Sequence, residues 1–224
     1  VILVLALALV LQVLWHHALA PPQARADALP SPPPAALLQL LGLGERVATA
    51  KVVSLWLQSF DNQPGISVPF AQLDYPTVIR WLDVALALDG RGQYPLRAAA
   101  RLYSEVSDAT RSRIMMDWLY GNFAADSQRR WPWLAHVAVL AEHRLHDHAR
   151  ALKYARALAD TPLETDMPAW VRQLEWTVLE AGGERDAARI LIGGLITSGS
   201  VSDPRELRFL EQVLQRLERR ETRN

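Results

Sequence analysis

The sequence has no cysteine, which excludes disulfides, thiolate metal sites and cysteine nucleophiles. It has no net charge, because 24 basic side chains are matched by 24 acidic ones, so no bulk field draws it to nucleic acid or to an anionic membrane face. No run of strict alternation rich in Val, Ile and Thr demands a strand. Catalytic motifs are missing too. There is no G-x-S-x-G, S-x-x-K or H-E-x-x-H, and the pairs Gly182-Gly183 and Gly193-Gly194 belong to no phosphate-binding loop. These absences point away from an enzyme. What is present is a chain of 224 residues, half apolar and 21% charged, enough for one or two packed domains and too apolar for full disorder.

Charge is absent from the start of the chain as well, where nothing charged precedes Arg25. Val1 to Trp15 is apolar except for Gln12, and His16 and His17 close the run. The sequence begins at Val rather than Met, so upstream residues are expected to be missing. A span needs about 20 apolar residues, and two readings compete for residues 1–20: a cleaved signal peptide and an uncleaved signal anchor. The A-x-A site Ala24-Arg25-Ala26 lies about ten residues past the apolar run, and cutting after Ala18-Leu19-Ala20 would leave Pro21 at the cut. The anchor is therefore favoured. Only Arg25 is basic between Val1 and Glu45, so the body is expected outside the cytoplasm. The expectation is a single-pass protein of the bacterial inner membrane with its body in the periplasm. Residues 21–36 carry six prolines among small residues, which favours an extended tether. At ~3.1 Å per residue it would hold the body up to about 50 Å from the bilayer.

From residue 37 to 224 the apolar spacing is helical. Glu45 to Phe60 puts Ala48, Val52, Leu55, Trp56 and Phe60 on one stripe, and Asp61-Asn62-Gln63-Pro64-Gly65 stops that helix. A non-helical insertion is expected to continue to Pro69. Asp74-Tyr75-Pro76 then opens a helix that runs to about Leu88. After this irregular pair (45–89) the pattern recurs. Tyr94-Pro95-Leu96, Trp131-Pro132-Trp133 and Met167-Pro168-Ala169-Trp170 each begin a helix, with Leu96, Trp133 and Trp170 spaced 37 and 37. In the second helices Ile114, Leu152 and Ile190 are spaced 38 and 38. Polar links at Ser107-Asp108, His146-Asp147 and Gly182-Gly183-Glu184 divide the pairs. The result is three helix–turn–helix units, 93–126, 131–162 and 168–199, followed by a capping helix at 204–220. A period in this range belongs to helical solenoids, where stacking neighbours bury faces that one pair cannot. Trp56, Trp81, Trp118, Trp133, Trp170 and Trp176 are expected to fill that core, each contributing on the order of 2 kcal/mol.

The unit from Trp133 to Pro162 resembles the tetratricopeptide repeat (TPR) family: a large residue early in the first helix, a polar link, Ala151 at the close contact, then Tyr154, Ala157 and a proline terminator. Trp170 to Leu191 shares the first-helix Trp, a Gly-Gly-Glu link and Ala187-Ala188. The unit is about three residues longer than the usual 34, and its small mid-helix residue is not apparent, so the likeness is TPR-like and covers roughly 93–199. It implies an all-α, right-handed α-solenoid with a groove for a protein partner. LWLQSFDNQPG, RGQYPL and RRWPWLAH make the whole chain similar to uncharacterised bacterial membrane-anchored proteins with a TPR-like body, a likeness that carries no activity.

His143, His146 and His148 form the only dense set of candidate metal ligands. His143 and His146 share a helical face, with Glu142 or Asp147 as helpers, but the segment falls at an inter-helix turn where polar residues are expected anyway. Arg129-Arg130-Trp131 reads either as a cation–aromatic recognition spot or as a helix start with its ring turned inward. Arg111, Arg113, Arg129, Arg130 and Arg144 are balanced by nearby acids, so an RNA-reading groove is not expected. In the last helix Leu207, Leu210, Leu214 and Leu217 are spaced for a solenoid cap, with a dimer seam as the alternative. The function expected is a non-catalytic, membrane-anchored scaffold that binds protein, with no cofactor. The alternatives are a periplasmic metal-dependent enzyme using His143, His146 and His148, and a homodimer through the C-terminal helix.

Overall fold

A computed structural model describes residues 2–18, 26–63, 66–162, 167–199, 201 and 203–221. The fold is mostly helical. Helix α1 (Ile2–Ala18) has 17 residues, and at 1.5 Å per residue it reaches about 26 Å, short of the ~30 Å hydrocarbon thickness. No helix among the described residues is long and apolar enough to cross a membrane. The side chains of α1 from Val4 to Trp15 are nonetheless exposed on every face.

Short α2 (Ala35–Leu41) precedes four hairpins. The first pairs α3 (Arg46–Ser59) with α4 (Tyr75–Leu88). The second pairs α5 (Tyr94–Ala98), continued by a π-turn at Ala99–Tyr103, with α6 (Ala109–Phe123). The third pairs α7 (Ser127–His143) with α8 (His148–Ala159). In the fourth, α9 (Ala169–Arg172) and α10 (Leu174–Ala181) face α11 (Arg185–Thr197), and α12 (Pro204–Glu221) closes the chain. Between α3 and α4 the insertion holds one small antiparallel pair, β1 (Asn62–Gln63) against β2 (Ile66–Ser67). Its expected Pro64-Gly65 turn lies outside the described residues.

The second helices share one register. Asp74, Asp108, Asp147 and Glu184 stand just ahead of them, at spacings of 34, 39 and 37. The three aspartates each accept a backbone N–H from three residues on, satisfying a donor that a helix start would otherwise leave unpaired. Four residues after each cap stands a side chain with no exposure at all: Val78, Ser112, Ala151 and Ala188. Eight residues after it come Leu82, Met116, Ala155 and Ile192, all buried. Positions four and eight lie on one helical face, so every second helix turns the same stripe inward.

Packing is densest within the hairpins, α7 on α8 and α3 on α4, and continues from each hairpin to the next, as where α8 meets α10 and α6 meets α7. Side-chain hydrogen bonds cross these joints between residues 33 to 40 apart: Tyr94 to Gln58, Trp118 Nε1 to Asp83 (2.8 Å), Trp133 Nε1 to Gln93 (2.9 Å), Arg150 and Tyr154 to Asp117 (2.9 and 2.8 Å), and Arg216 to Glu180 (3.1 Å). One continuous core runs from Leu29 to Leu217.

Several expectations need correction. The outer stripe of α3 was read as its core face, but the buried residues are Ala50, Val53, Ser54 and Leu57, while Ala48, Val52, Leu55 and Trp56 face outward. Ile114, Leu152 and Ile190 are not equivalent, being 37%, 9% and 72% exposed: Leu152 stands five residues after its cap and the two isoleucines six, and of these Ile190 lies in the last hairpin. Of the six tryptophans, Trp81 and Trp176 are buried, whereas Trp170 is 53% exposed. The helix expected to begin at Trp131 begins earlier: a 3-10 turn at Ala124–Asp126 leads from α6 straight into α7 at Ser127, with Pro132 in its second turn. That proline withdraws one donor, from the first-turn carbonyl of Gln128, where the lost bond disturbs the helix least. The tether reading also fails over residues 26–34. The Asp27 N–H donates to Gln63 (2.7 Å), Leu29 is buried, and the Trp81 indole donates to the Pro30 carbonyl (2.7 Å). Residues 21–25 lie outside the described set.

The residue before each of the last two caps has left-handed backbone: Gly183 at φ 84° and His146 at φ 50°. Glycine adopts that region freely, whereas a side chain with Cβ does not. His146 is exposed and makes no described side-chain bond. His146→Gly is expected to stabilise the fold by about 0.5–1 kcal/mol in urea melts, the relieved strain outweighing the added freedom of the unfolded chain. A loss would mean that the imidazole is held by something.

Candidate functional site

The first helices of three successive hairpins, α3, α5 and α7, wall a cavity of about 540 Å³. That volume lies within the range of small-molecule and peptide-anchor pockets. Its walls are set by the joints between hairpins. Tyr94 opens α5 just before Pro95, and its hydroxyl donates to Gln58 at the end of α3. Trp133, on α7, donates its indole N–H to Gln93 (2.9 Å). Tyr94, at the start of α5, and Trp133, in the second turn of α7, are thereby both fixed in the cavity wall.

Two arginines four residues apart, Arg97 and Arg101, line the cavity from α5 and its π-turn. Arg101 reaches Glu105 at 3.5 Å, with both side chains well exposed. Glu105 also meets His136 at 2.9 Å, while Arg144 caps the Glu105 and Val106 carbonyls at 2.7 and 2.9 Å. Arg97 is exposed and, among the described residues, its guanidinium has no hydrogen-bond or ion-pair partner. Like charges at this spacing oppose the helix by about 0.2–0.5 kcal/mol. An anionic group in the cavity would reverse that sign.

On the second helices the polar contacts knit the stack together. Asp117 of α6 takes both Arg150 and Tyr154 of α8, and Asp147 takes Arg113 at 2.8 Å as well as Arg150. Burial by itself would raise the Asp117 carboxyl, but hydrogen bonds from Arg150 and Tyr154 and the charges of Arg150 and Lys153 outweigh it and hold it below the usual carboxylate range. Asp147 is likewise pushed up by burial and pulled down further by Arg113 and Arg150. The hydrogen bond to Asp117 raises Arg150, outweighing the desolvation that would lower it. Desolvation, then the same aspartate, raises the Tyr154 phenol.

The histidines do not converge. His143 ends α7 and is exposed, His146 sits in the link, and His148 begins α8. His148 places its two ring nitrogens 3.2 Å from Glu142 and Glu184 and packs so closely on the next hairpin that a Cβ at Gly182 would lie 2.1 Å from its ring. Only glycine permits that approach. Among the described residues no group of three His, Asp or Glu side chains is placed to hold a metal ion. Arg130, read from sequence as half of a recognition spot, is 6% exposed and donates to the carbonyls of Asn122 and Gly90. Desolvation, with repulsion from Arg129, lowers its pKa. It clamps loop ends of two neighbouring hairpins, and Trp131 packs inward beside it.

Sequence reading placed Tyr94 and Trp133 at helix starts but passed over Arg97. The available signal was electrostatic. Arg97 has no acid three or four residues to either side and another arginine at i+4.

No protein-family model matches the chain, and neither the curated proteins nor the solved structures include a significant match.

Because Asp117 and Asp147 are held below their unfolded values, their contribution to stability is complete above about pH 5 and disappears as pH falls through 4 and below. Urea midpoints measured from pH 7 down to pH 3 are expected to fall over that window, and Asp117→Asn is expected to flatten the decline. An unchanged slope in the variant would remove Asp117 from the account.

Proposed function

We propose that the chain is a non-catalytic scaffold anchored in the bacterial inner membrane by residues 1–20, with its body in the periplasm. The hairpins form a right-handed, TPR-like solenoid whose inner face is built from the first helices, and a segment of another protein lies along that face. The observation that carries this reading is the cavity between α3, α5 and α7 with Arg97, unpaired among the described residues, in its wall. Residues that end in a carboxylate, or an acidic side chain of the partner segment, suit the Arg97–Arg101 pair, since guanidinium forks match carboxylates in two-point contacts. Tyr94 and Trp133 supply apolar surface beside that charge.

The alternatives fit less well. A metal-dependent enzyme would need His143, His146 and His148 together, and two of the three are exposed with no partner among the described residues. A dimer through the C-terminal helix would need the leucine seam of α12 free, yet Leu210, Val213 and Leu217 are turned onto the body. Burial there favours the cap. No nucleic acid and no cofactor enter this proposal.

A photo-crosslinking residue replacing Arg101, which is 60% exposed in its side chain, tests the reading in native membranes. A discrete adduct from position 101 is expected, with none from Ile190 on the opposite run of helices. Arg97→Glu is expected to reduce that adduct about tenfold, near the value of one charge-assisted contact. Equal labelling from both positions, or no dependence on Arg97, would contradict the proposal.

A further inference from the structure

The two ends of the stack are built differently. A terminal hairpin has no neighbour on its outer side and needs a polar face to remain in water. At the C-terminal end α12 meets this need, with Arg205, Arg208, Glu211, Arg216, Glu218 and Arg219 all exposed. At the other end the outer surface is greasy. Helix α2 buries no residue, and its Leu40 and Leu41 are 72% and 70% exposed. Leu43, just beyond it, is 92% exposed. On α3 the outward half carries Val47, Val52 and Leu55, all at least half exposed.

We propose that this face of α2 and α3 rests on a lipid bilayer, at the boundary between headgroups and acyl chains. The proposal builds on the anchor reading of residues 1–20. Three observations choose the bilayer as the occupant. The first is chain length. Residues 26–30 are fastened to the first hairpin through Gln63 and Trp81, so only residues 19–25 separate that hairpin from α1. Seven residues extend at most about 25 Å, which keeps the greasy end beside the membrane.

The second is charge. Between residues 35 and 59 the only acid is Glu45, against Arg46 and Lys51. Arg46 is spent on the carbonyls of Ala87 and Leu88, while Lys51 is exposed among the outward apolar residues of α3 without a described partner. A long lysine in that position sends its ammonium toward lipid phosphates while its stem stays in the apolar layer. The third is the aromatic border. Trp56, 38% exposed at the edge of the patch and in tilted ring contact with Phe60 and Trp81, has the amphipathic character of residues found at the membrane interface. A lipid surface satisfies all three at once.

The absence of native cysteine makes the test direct. Nitroxide labels at Leu43→Cys, Leu55→Cys and, as the distant reference, Ile190→Cys are placed in the full chain, reconstituted at one copy per lipid nanodisc. Collision rates with oxygen and with a water-soluble nickel complex are then compared. Labels at 43 and 55 are expected to favour oxygen over nickel at least threefold more than the label at 190. Equal ratios, in protein that co-floats with liposomes, would overturn the docking face while leaving the anchor intact. Protein that fails to float at all would overturn the anchor reading and this inference with it. Protection of position 43 that arises only when two copies share a disc would overturn it in favour of self-association.

Discussion

Everything in this protein depends on contact between side chains one repeat apart. Each second helix turns a stripe such as Val78 and Leu82, or Ala151 and Ala155, into a core that is shared from hairpin to hairpin. Fully burying one such side chain contributes on the order of 1.5–3 kcal/mol for the larger apolar types, so the stripes set the stacking. The hydrogen bonds across the joints add direction to that pressure. Asp117 illustrates it: its carboxylate gathers an arginine and a tyrosine from the next hairpin and fixes both the register and the rotation of α6 against α8. Where two helices approach most closely the sequence supplies alanine, serine or glycine, since close-packed interiors leave no room for more.

The helices and their caps were legible because they rest on local chemistry. Asp74 with Pro76, and the Asp108 and Asp147 links, announce helix starts in the sequence itself, and the structure begins helices there. The repeat was legible in its period but not in its phase. Aromatic and aliphatic residues recur at 37 and 38, yet Trp170 and Ile190 are exposed, and the cap-to-cap distances vary from 34 to 39 to 37. The cap-to-core offset of four residues was the better ruler, and it rests on small residues that composition does not highlight. The face of α3 was misjudged for a similar reason. An apolar stripe on a terminal helix does not announce whether protein or something else covers it, so hydrophobicity named the wrong side. The site itself was mostly hidden. Arg97 gains meaning only when α3 and α7 are seen to wall it in, and those contacts cross more than 35 residues of chain.

The functional reading follows from the division of labour between helices. Both runs of helices carry small buried residues, and the second helices carry in addition the Asp117 and Asp147 ion-pair network, which leaves that chemistry committed to structure. First helices carry aromatic openings and an uncompensated charge, and the gaps between them remain open. The histidines, the obvious chemical feature of the sequence, turn out to be hinge furniture: one ends a helix, one occupies a strained link, and one wedges between two glutamates. The N-terminal end adds a second surface of a different kind, apolar and nearly free of acids.

The repeat-to-repeat contact is measurable as a coupling energy. A double-mutant cycle of Asp117→Asn with Tyr154→Phe, read by urea denaturation, tests it between α6 and α8, with Asp83→Asn and Tyr154→Phe as the pair two hairpins apart. The stacked arrangement predicts coupling of about 1–2 kcal/mol for the neighbours and a value within about 0.5 kcal/mol of zero for the distant pair. Additive effects for Asp117 and Tyr154, or equal coupling in both pairs, would contradict the stack.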